Sequence, residues 1–237
     1  MIKKLKKDKL SLISVIVPIH KKHKKIVEVR KSILQSNSPI EVFYIIDKNL
    51  SIIFKKIENF ERIIKINNKG RGYMLAEGLR YSIGDIIVFL HSDTILPNGW
   101  DISIRGSFED KGVIGGCFKL KFDIENTFLD LAIKFLTMNA NRLKILTGDR
   151  AQFVRSSLIK NNISILEIPI MEDLELSFLM KKNGDVIILN DAVITSAGAF
   201  VKNGVFRQSL RILICYFWYR VGGNLQDIYN YYYSKND

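Results

Sequence analysis

Two acidic clusters and one cationic glycine turn hold the side chains best suited to chemistry. His91-Ser92-Asp93-Thr94 closes an apolar, β-branched run at residues 86–90, which itself leaves a Gly84-Asp85 turn. Some eighty residues later comes Met171-Glu172-Asp173-Leu174-Glu175, entered from Pro169. Upstream of both lies Lys69-Gly70-Arg71-Gly72. An acid at a strand end can bind a divalent metal on a diphosphate, and an acid at a helix start can act as general base. The glycine turn sets amides and cations ahead of a helix N-terminus, which suits a phosphate. It lacks both the Gly-Lys-Ser/Thr ending of a Walker loop and the dinucleotide glycine spacing. Each cluster also has a plain structural use. Ser92 and Asp93 suit a turn before Pro97, and Asp173 suits a helix cap favoured by the dipole. Three acids within five residues exceed what one cap needs.

Such groups need a scaffold that brings them together. Residues 10–18 read as a buried strand ended by Pro18, and residues 40–46 as a second with Asp47 at its end. Residues 62–66 read as a short third strand and 84–90 as the fourth. Helical spacing falls between them, at 26–35, 51–60 and 73–82. This alternation predicts an α/β fold with a mostly parallel central sheet flanked by helices. Ligands of such sheets bind outside the carboxyl ends of the strands, where Asp47 and Asp93 both stand. The second half is less regular. Residues 113–122 alternate as an edge or antiparallel strand, with Gly115-Gly116 predicting a bulge or close approach. Helices are expected at about 126–143 and at 172–182, with strands near 150–155 and 186–189.

The chain has 237 residues, 47% hydrophobic and 25% charged, enough for one α/β domain with a substantial core. Cys117 and Cys215 show no metal-ligand spacing and read as reduced core residues of a cytoplasmic protein. The net charge of +12 is uneven: residues 1–31 carry eleven Lys/Arg against Asp8 and Glu28, which leaves the other 206 residues at +3. A nucleic-acid enzyme would spread its basic residues over a binding face among aromatics, so no nucleic-acid partner is expected. A basic tail on a near-neutral body is either a solvated terminus or a match for an anionic membrane surface. Residues 205–221 form an apolar helix with Arg207, Arg211 and Arg220 around it, to be covered by its own domain or by a membrane interface. The expected organisation is a basic tail at 1–9, a domain at 10–203 and an apolar, aromatic helical segment at 204–237.

One family shows this order of motifs: a strand with Pro18, a strand ending at Asp47, Gly70-Arg71 before a helix, and Gly84-Asp85 leading to His91-Ser92-Asp93-Thr94. Gly148-Asp149 then precedes Phe153-Val154-Arg155, and Met171-Glu172-Asp173-Leu174-Glu175-Leu176-Ser177 follows. The series resembles the family-2 glycosyltransferases of the GT-A fold. Phe89-Leu90-His91-Ser92-Asp93-Thr94 with Leu96-Pro97-Asn98-Gly99-Trp100 is similar to a short bacterial subgroup of them. The likeness runs from about residue 14 to 229 and is dense from 70 to 197.

The resemblance implies an inverting, metal-dependent transfer of sugar from a nucleoside-diphosphate sugar to a hydroxyl of a sugar, lipid or small-molecule acceptor. Asp93 would hold Mn²⁺ or Mg²⁺ on the diphosphate, with His91 beside it in place of the family's first acid. Asp173 would be the base, with Glu172 the next candidate. Pro18, Asp47, Lys69, Gly70, Arg71, Ser92 and Asp93 would line the donor side, and Trp100, Gly148 and Asp149 the acceptor side. The enzyme would work in the cytoplasm, peripheral on the inner face of the membrane. The chain departs from the family in having Lys48-Asn49-Leu50 after Asp47 where Asp-Gly-Ser is usual, His20-Lys21 after the first strand, and Gly198-Ala199-Phe200 after Thr195-Ser196-Ala197. Two rival readings are a catalytically weak nucleotide- or membrane-binding protein on the same scaffold and a nucleotidyltransferase. The intact Asp93 and Asp173 weigh against the first rival, and the missing Asp-Gly-Ser run weighs for it.

Overall fold

The computed structural model describes residues 12–21, 24–51, 54, 56–67, 70–124 and 144–233. The basic tail, Lys69 and the helix expected at 126–143 lie outside them. The strands are β1 (Ile13–Ile19), β2 (Ile40–Asp47), β3 (Glu61–Ile66), β4 (Ile86–Phe89), β5 (Val113–Phe122), β6 (Gln152–Arg155) and β7 (Asp185–Thr195). The described α-helices are α1 (Ile26–Ile33), α2 (Arg71–Tyr81), α3 (Trp100–Ser107), α4 (Ser156–Lys160), α5 (Glu172–Asn183), α6 (Gly198–Asn203), α7 (Val205–Arg220) and α8 (Leu225–Tyr233).

All seven strands join one mixed sheet in the order β3-β2-β1-β4-β6-β5-β7. The first four are mutually parallel, β6 runs antiparallel to both neighbours, and β7 is parallel to β5. The unbroken apolar runs of β1, β2 and β4 follow from burial on both faces. Ile13, Val15, Val17, Val42, Tyr44 and Val88 turn towards α1 and α3, and Ile16, Phe43, Ile45, Ile87 and Phe89 towards α2 and α5. The fold is thus the expected α/β arrangement, a central sheet between helical layers.

Four expectations change in detail. Strand β1 does not stop at Pro18 but runs to Ile19. Its pairing with β4 ends at Ile16, so the N–H that proline lacks falls beyond that ladder. Residues 51–60 form no helix among those described, despite their helical spacing. Phe54 is buried there instead, edge-on to the Tyr44 ring at 4.9 Å and beneath the Arg30 guanidinium, so a tertiary contact overrides the local pattern. Strand β5 is interior rather than an edge, while its expected antiparallel pairing, with β6, and the irregularity at its glycines, between Val113 and Gly115, are both present. Strand β7 continues through Asn190 and Asp191 to Thr195, well past the apolar stretch that marks its start.

Candidate active site

Because β1 to β4 are parallel, their carboxyl ends share one side of the sheet. Asp47 ends β2, the His91–Thr94 turn follows β4, and α2 begins at Arg71 after β3. Asp47 Oδ1 accepts the Asn49 N–H at 2.8 Å and closes its own turn. The Thr94 N–H bonds the His91 carbonyl at 3.2 Å, so Ser92 and Asp93 occupy a tight turn. The end of β7 clamps that turn: Ile95 and Ile194 exchange backbone bonds of 2.8 and 3.0 Å, and the Thr94 and Thr195 hydroxyls meet at 2.9 Å. Pro18 is buried within β1 near this end. Gly70 is the N-cap of α2, and its carbonyl takes the Met74 N–H at 3.2 Å.

Arg71 is the hub of the site. Its Nε donates to Glu172 Oε1, one Nη donates to His91 Nε2 at 3.1 Å, and the other lies 3.8 Å from Asp173 Oδ2. Gly72 permits this approach. A Cβ there would stand 2.1 Å from the Leu166 carbonyl oxygen and 3.0 Å from that of Ile168, so the first turn of α2 presses on the segment that leads into α5. Glu172 is buried and Asp173 remains 18% exposed, so the second acid is the one that faces outward.

Asp173 is held by backbone. Its Oδ2 accepts the Gly148 N–H at 2.8 Å, its Oδ1 accepts the Leu174 N–H at 2.9 Å, and Gln152 donates to its carbonyl at 2.9 Å. A Cβ on Gly148 would lie 2.8 Å from His91 Nε2 and 3.4 Å from Asp173 Oδ2, so only glycine fits there without displacement. Met171, the N-cap of α5, sits at φ 72°, and Ala151, after the Gly148–Arg150 turn, at φ 49°. A left-handed backbone at such residues costs roughly 1–3 kcal/mol each and gathers at functional sites. The space enclosed by Arg71, His91, Gly148, Glu172 and Asp173 is about 10 Å³, room for one water at most. Substrate chemistry therefore belongs to the outer side of this network.

The charges follow from burial and neighbours. Burial, then the Arg71 charge, then His20 depress the His91 pKa well below its usual value. His91 is neutral, and since guanidinium only donates, its Nε2 is the acceptor and its proton sits on Nδ1. Burial raises the Glu172 carboxyl against the pull of Arg71. Burial also raises Asp149, whose Oδ1 takes the Thr147 hydroxyl at 2.6 Å. Tyr232 and Tyr233 are both raised, with Arg71 pulling each the other way. These tyrosines bring the last described turn of α8 into the field of Arg71.

Three expected roles meet the geometry differently. Trp100 is fully buried in the core on the α1/α3 face and offers no surface to an acceptor; its large apolar ring fills that layer. Gly148 and Asp149 do lie beside Asp173. His91 Nε2 already accepts from Arg71, and a lone pair in that bond beside a guanidinium is unsuited to a divalent cation. Among the described residues no group of three or more His, Cys, Asp or Glu side chains is arranged to hold a metal. Asp93 alone still fits a hard ion that takes one carboxylate and completes its shell with phosphate oxygens and water.

The comparisons with known proteins agree with this fold. The sequence model of the family described as glycosyl transferase family 2 matches residues 14–158. The S. aureus TarS 1-349 crystal structure superposes with a TM-score of 0.62 at 17% identity, covering 94% of this chain and 72% of that one. The same TarS fragment in complex with UDP-GlcNAc gives 0.62 at 17% identity over 94% and 73% of the chains. Its complex with UDP gives 0.60 at 18% identity over 94% and 72%. At such identity the likeness establishes the fold. No curated protein matches the chain.

Proposed function

The chain belongs to glycosyl transferase family 2 and is a glycosyltransferase; from that premise we propose that it is an inverting, metal-dependent enzyme using a nucleoside-diphosphate sugar, with Asp173 as its base and Asp93 at the metal. The observation that carries this reading is the fixed, outward-facing Asp173 carboxylate on the Gly148 amide, beside Arg71. The acceptor hydroxyl gives its proton to Asp173 as its oxygen bonds the anomeric carbon. The bond from that carbon to the diphosphate oxygen breaks on the opposite face, which inverts the centre and releases nucleoside diphosphate. Mn²⁺ or Mg²⁺ on Asp93, when bound, neutralises charge on that departing group. Arg71 keeps Glu172 paired and sets Asp173 at its distance. Asp47, Pro18, Gly70 and Ser92 lie at the donor end of the sheet, while Gly148 and Asp149 face the acceptor. The UDP-GlcNAc and UDP complexes of the TarS fragment support a UDP-sugar donor. No described helix is long and apolar enough to cross a membrane, and the reading keeps the enzyme in the cytoplasm, peripheral on the inner membrane face.

The test is a thermal-shift series of nucleoside diphosphates with Mn²⁺ and with EDTA. A rise in Tm with UDP and Mn²⁺ that EDTA removes is expected. No shift with any nucleoside diphosphate would sink the reading.

A further inference from the structure

Helix α7 buries Gln208, Arg211 and Cys215 on its inner side, yet Phe206 is 80% exposed and Phe217 63%. Leu210, Leu213, Ile214 and, at the C-cap, Val221 lie open beside them. At 100° per residue these six side chains fall within an arc of roughly 100°. Exposed Arg207 stands at one margin; Arg220, at the other, is exposed as well, with its guanidinium 5.2 Å from the Phe178 ring centroid of α5. No Asp or Glu occurs between residues 192 and 226, a stretch that also holds Lys202.

We propose that this face docks on an anionic lipid bilayer. The glycosyltransferase reading supplies what the docked site does; the docking stands on the helix alone. A second copy of the chain is the other natural occupant of an open apolar face. It would set Arg207 and Arg220 beside the same cations of its partner, with no acid on the stretch to pair them, and like charges across an interface are costly. The arc is also broader than the narrow seam of a coiled coil. An interfacial helix has the opposite requirements, with a wide Phe/Leu/Ile face at the acyl boundary and arginines reaching to the headgroups. A cavity of about 190 Å³ on the Arg207 side is lined by Arg207, Arg211, Leu210, Ile214 and Tyr231. It brings two arginine side chains together with apolar walls, a combination that suits a lipid phosphate.

The inner side of α7, with α8 packed beside it, lies against the start of α5. Ile170 and Met171, just before the acid pair, pack with Cys215 and Ile228, and the Tyr219 hydroxyl donates to Glu175. Docking α7 therefore sets Glu172 and Asp173 near the bilayer, which places an amphiphile anchored there within reach as acceptor.

The test is co-sedimentation of the full chain with vesicles of phosphatidylcholine, with and without phosphatidylglycerol. The parent should bind the anionic vesicles preferentially. Phe206→Ser with Phe217→Ser should weaken that binding about ten-fold or more, from the apolar area withdrawn. Arg207→Gln with Arg220→Gln should weaken binding to the anionic vesicles alone. All four positions are exposed, and only Arg220 has a ring contact, to Phe178, worth about 0.5–1 kcal/mol; the circular-dichroism spectrum and the Tm shift with UDP and Mn²⁺ should therefore match the parent, with at most a small fall in the ligand-free Tm of the arginine variant. The N-terminal tail is present in every arm and cancels. Parent-level binding by both double variants overturns the proposal. So does a parent that ignores vesicles and sediments as a dimer which the phenylalanine variant dissolves, an outcome that assigns the face to a second copy. Loss of the nucleotide shift in the parent would count against the glycosyltransferase mechanism and leave the vesicle result standing.

Discussion

Asp93 stands in the turn after β4 and Asp173 in the first turn of α5, and the two are held by different means. Asp173 is fixed by two backbone N–H groups and faces Arg71, on a helix whose first turn is locked between α2 and the Gly148 loop. Asp93 rides in a four-residue turn whose position comes from the β4 end and from the Thr94–Thr195 clamp behind it. With the proposed roles, the difference is a division of labour. A base must be pre-aimed at one proton, whereas a carboxylate that shares a metal with a mobile diphosphate can take its final geometry from the ligand. The largest expected effect tests the first half of that contrast. Asp173→Asn should lower transfer by about 10²–10⁴-fold, the usual worth of a positioned base, while donor affinity stays near the parent's. A parent-like rate would pass the role to Glu172. That residue is poorly placed for it, being buried and already bonded to Arg71.

The second half of the contrast predicts a binding effect. Asp93→Asn should weaken Mn²⁺-dependent nucleotide binding about ten-fold or more, since its metal ligand is lost. Affinity in EDTA should not change, and the urea midpoint should stay near the parent's. Titration of UDP with and without Mn²⁺ reads all three. Equal affinities for mutant and parent in Mn²⁺ would remove Asp93 from the metal. A smaller, structural effect is expected at the meeting point of the two regions. Gly148→Ala would put a methyl 2.8 Å from His91 Nε2 and close to Asp173, in a network with no slack. Overpacking of this kind costs about 1–3 kcal/mol, to be read from urea denaturation, and the transfer rate should fall with it.

How far the sequence foretells this site depends on what holds each part. The doubly buried strands announce themselves, because β1, β2 and β4 need apolar residues on both faces, and their parallel order sets Asp47 and Asp93 at one end. The acidic residues are visible by type and by their place at element boundaries. The contacts among them are not. Arg71 meets Glu172 across 101 positions and His91 across 20, pairings that only the tertiary fold creates. Gln152, which ties the Asp173 carbonyl, reads as an ordinary strand residue, and Trp100 in its motif gives no sign of being core. One signal was open: Gly72, inside the first turn of a helix, marks a close backbone approach. Among the described residues of 51–60 no helix forms, and Phe54 lies beneath Arg30 and against Tyr44, a tertiary contact that local periodicity does not reveal.

The smallest prediction concerns the group that joins the two regions. His91 follows the strand that leads to Asp93, yet its Nε2 faces Arg71, on the Asp173 side. Its pKa is depressed in the folded protein by burial and by Arg71, while in the unfolded chain it returns to about 6.5. Between those values the unfolded chain binds more protons than the folded one. The stability that neutral His91 allows is therefore complete above about pH 6.5 and is lost as the pH falls through that value. One proton gives a slope of at most about 1.4 kcal/mol per pH unit. In His91→Gln an amide oxygen can still accept from Arg71, but nothing titrates. Urea midpoints at pH 7.5 and 5.5 should thus lie closer together in the variant than in the parent, with little difference between the two proteins at the higher pH. Equal pH dependence in both would mean that His91 takes up its proton alike in the folded and the unfolded chain. The Arg71 contact as described would then be wrong, and with it the argument that reserves the metal for Asp93.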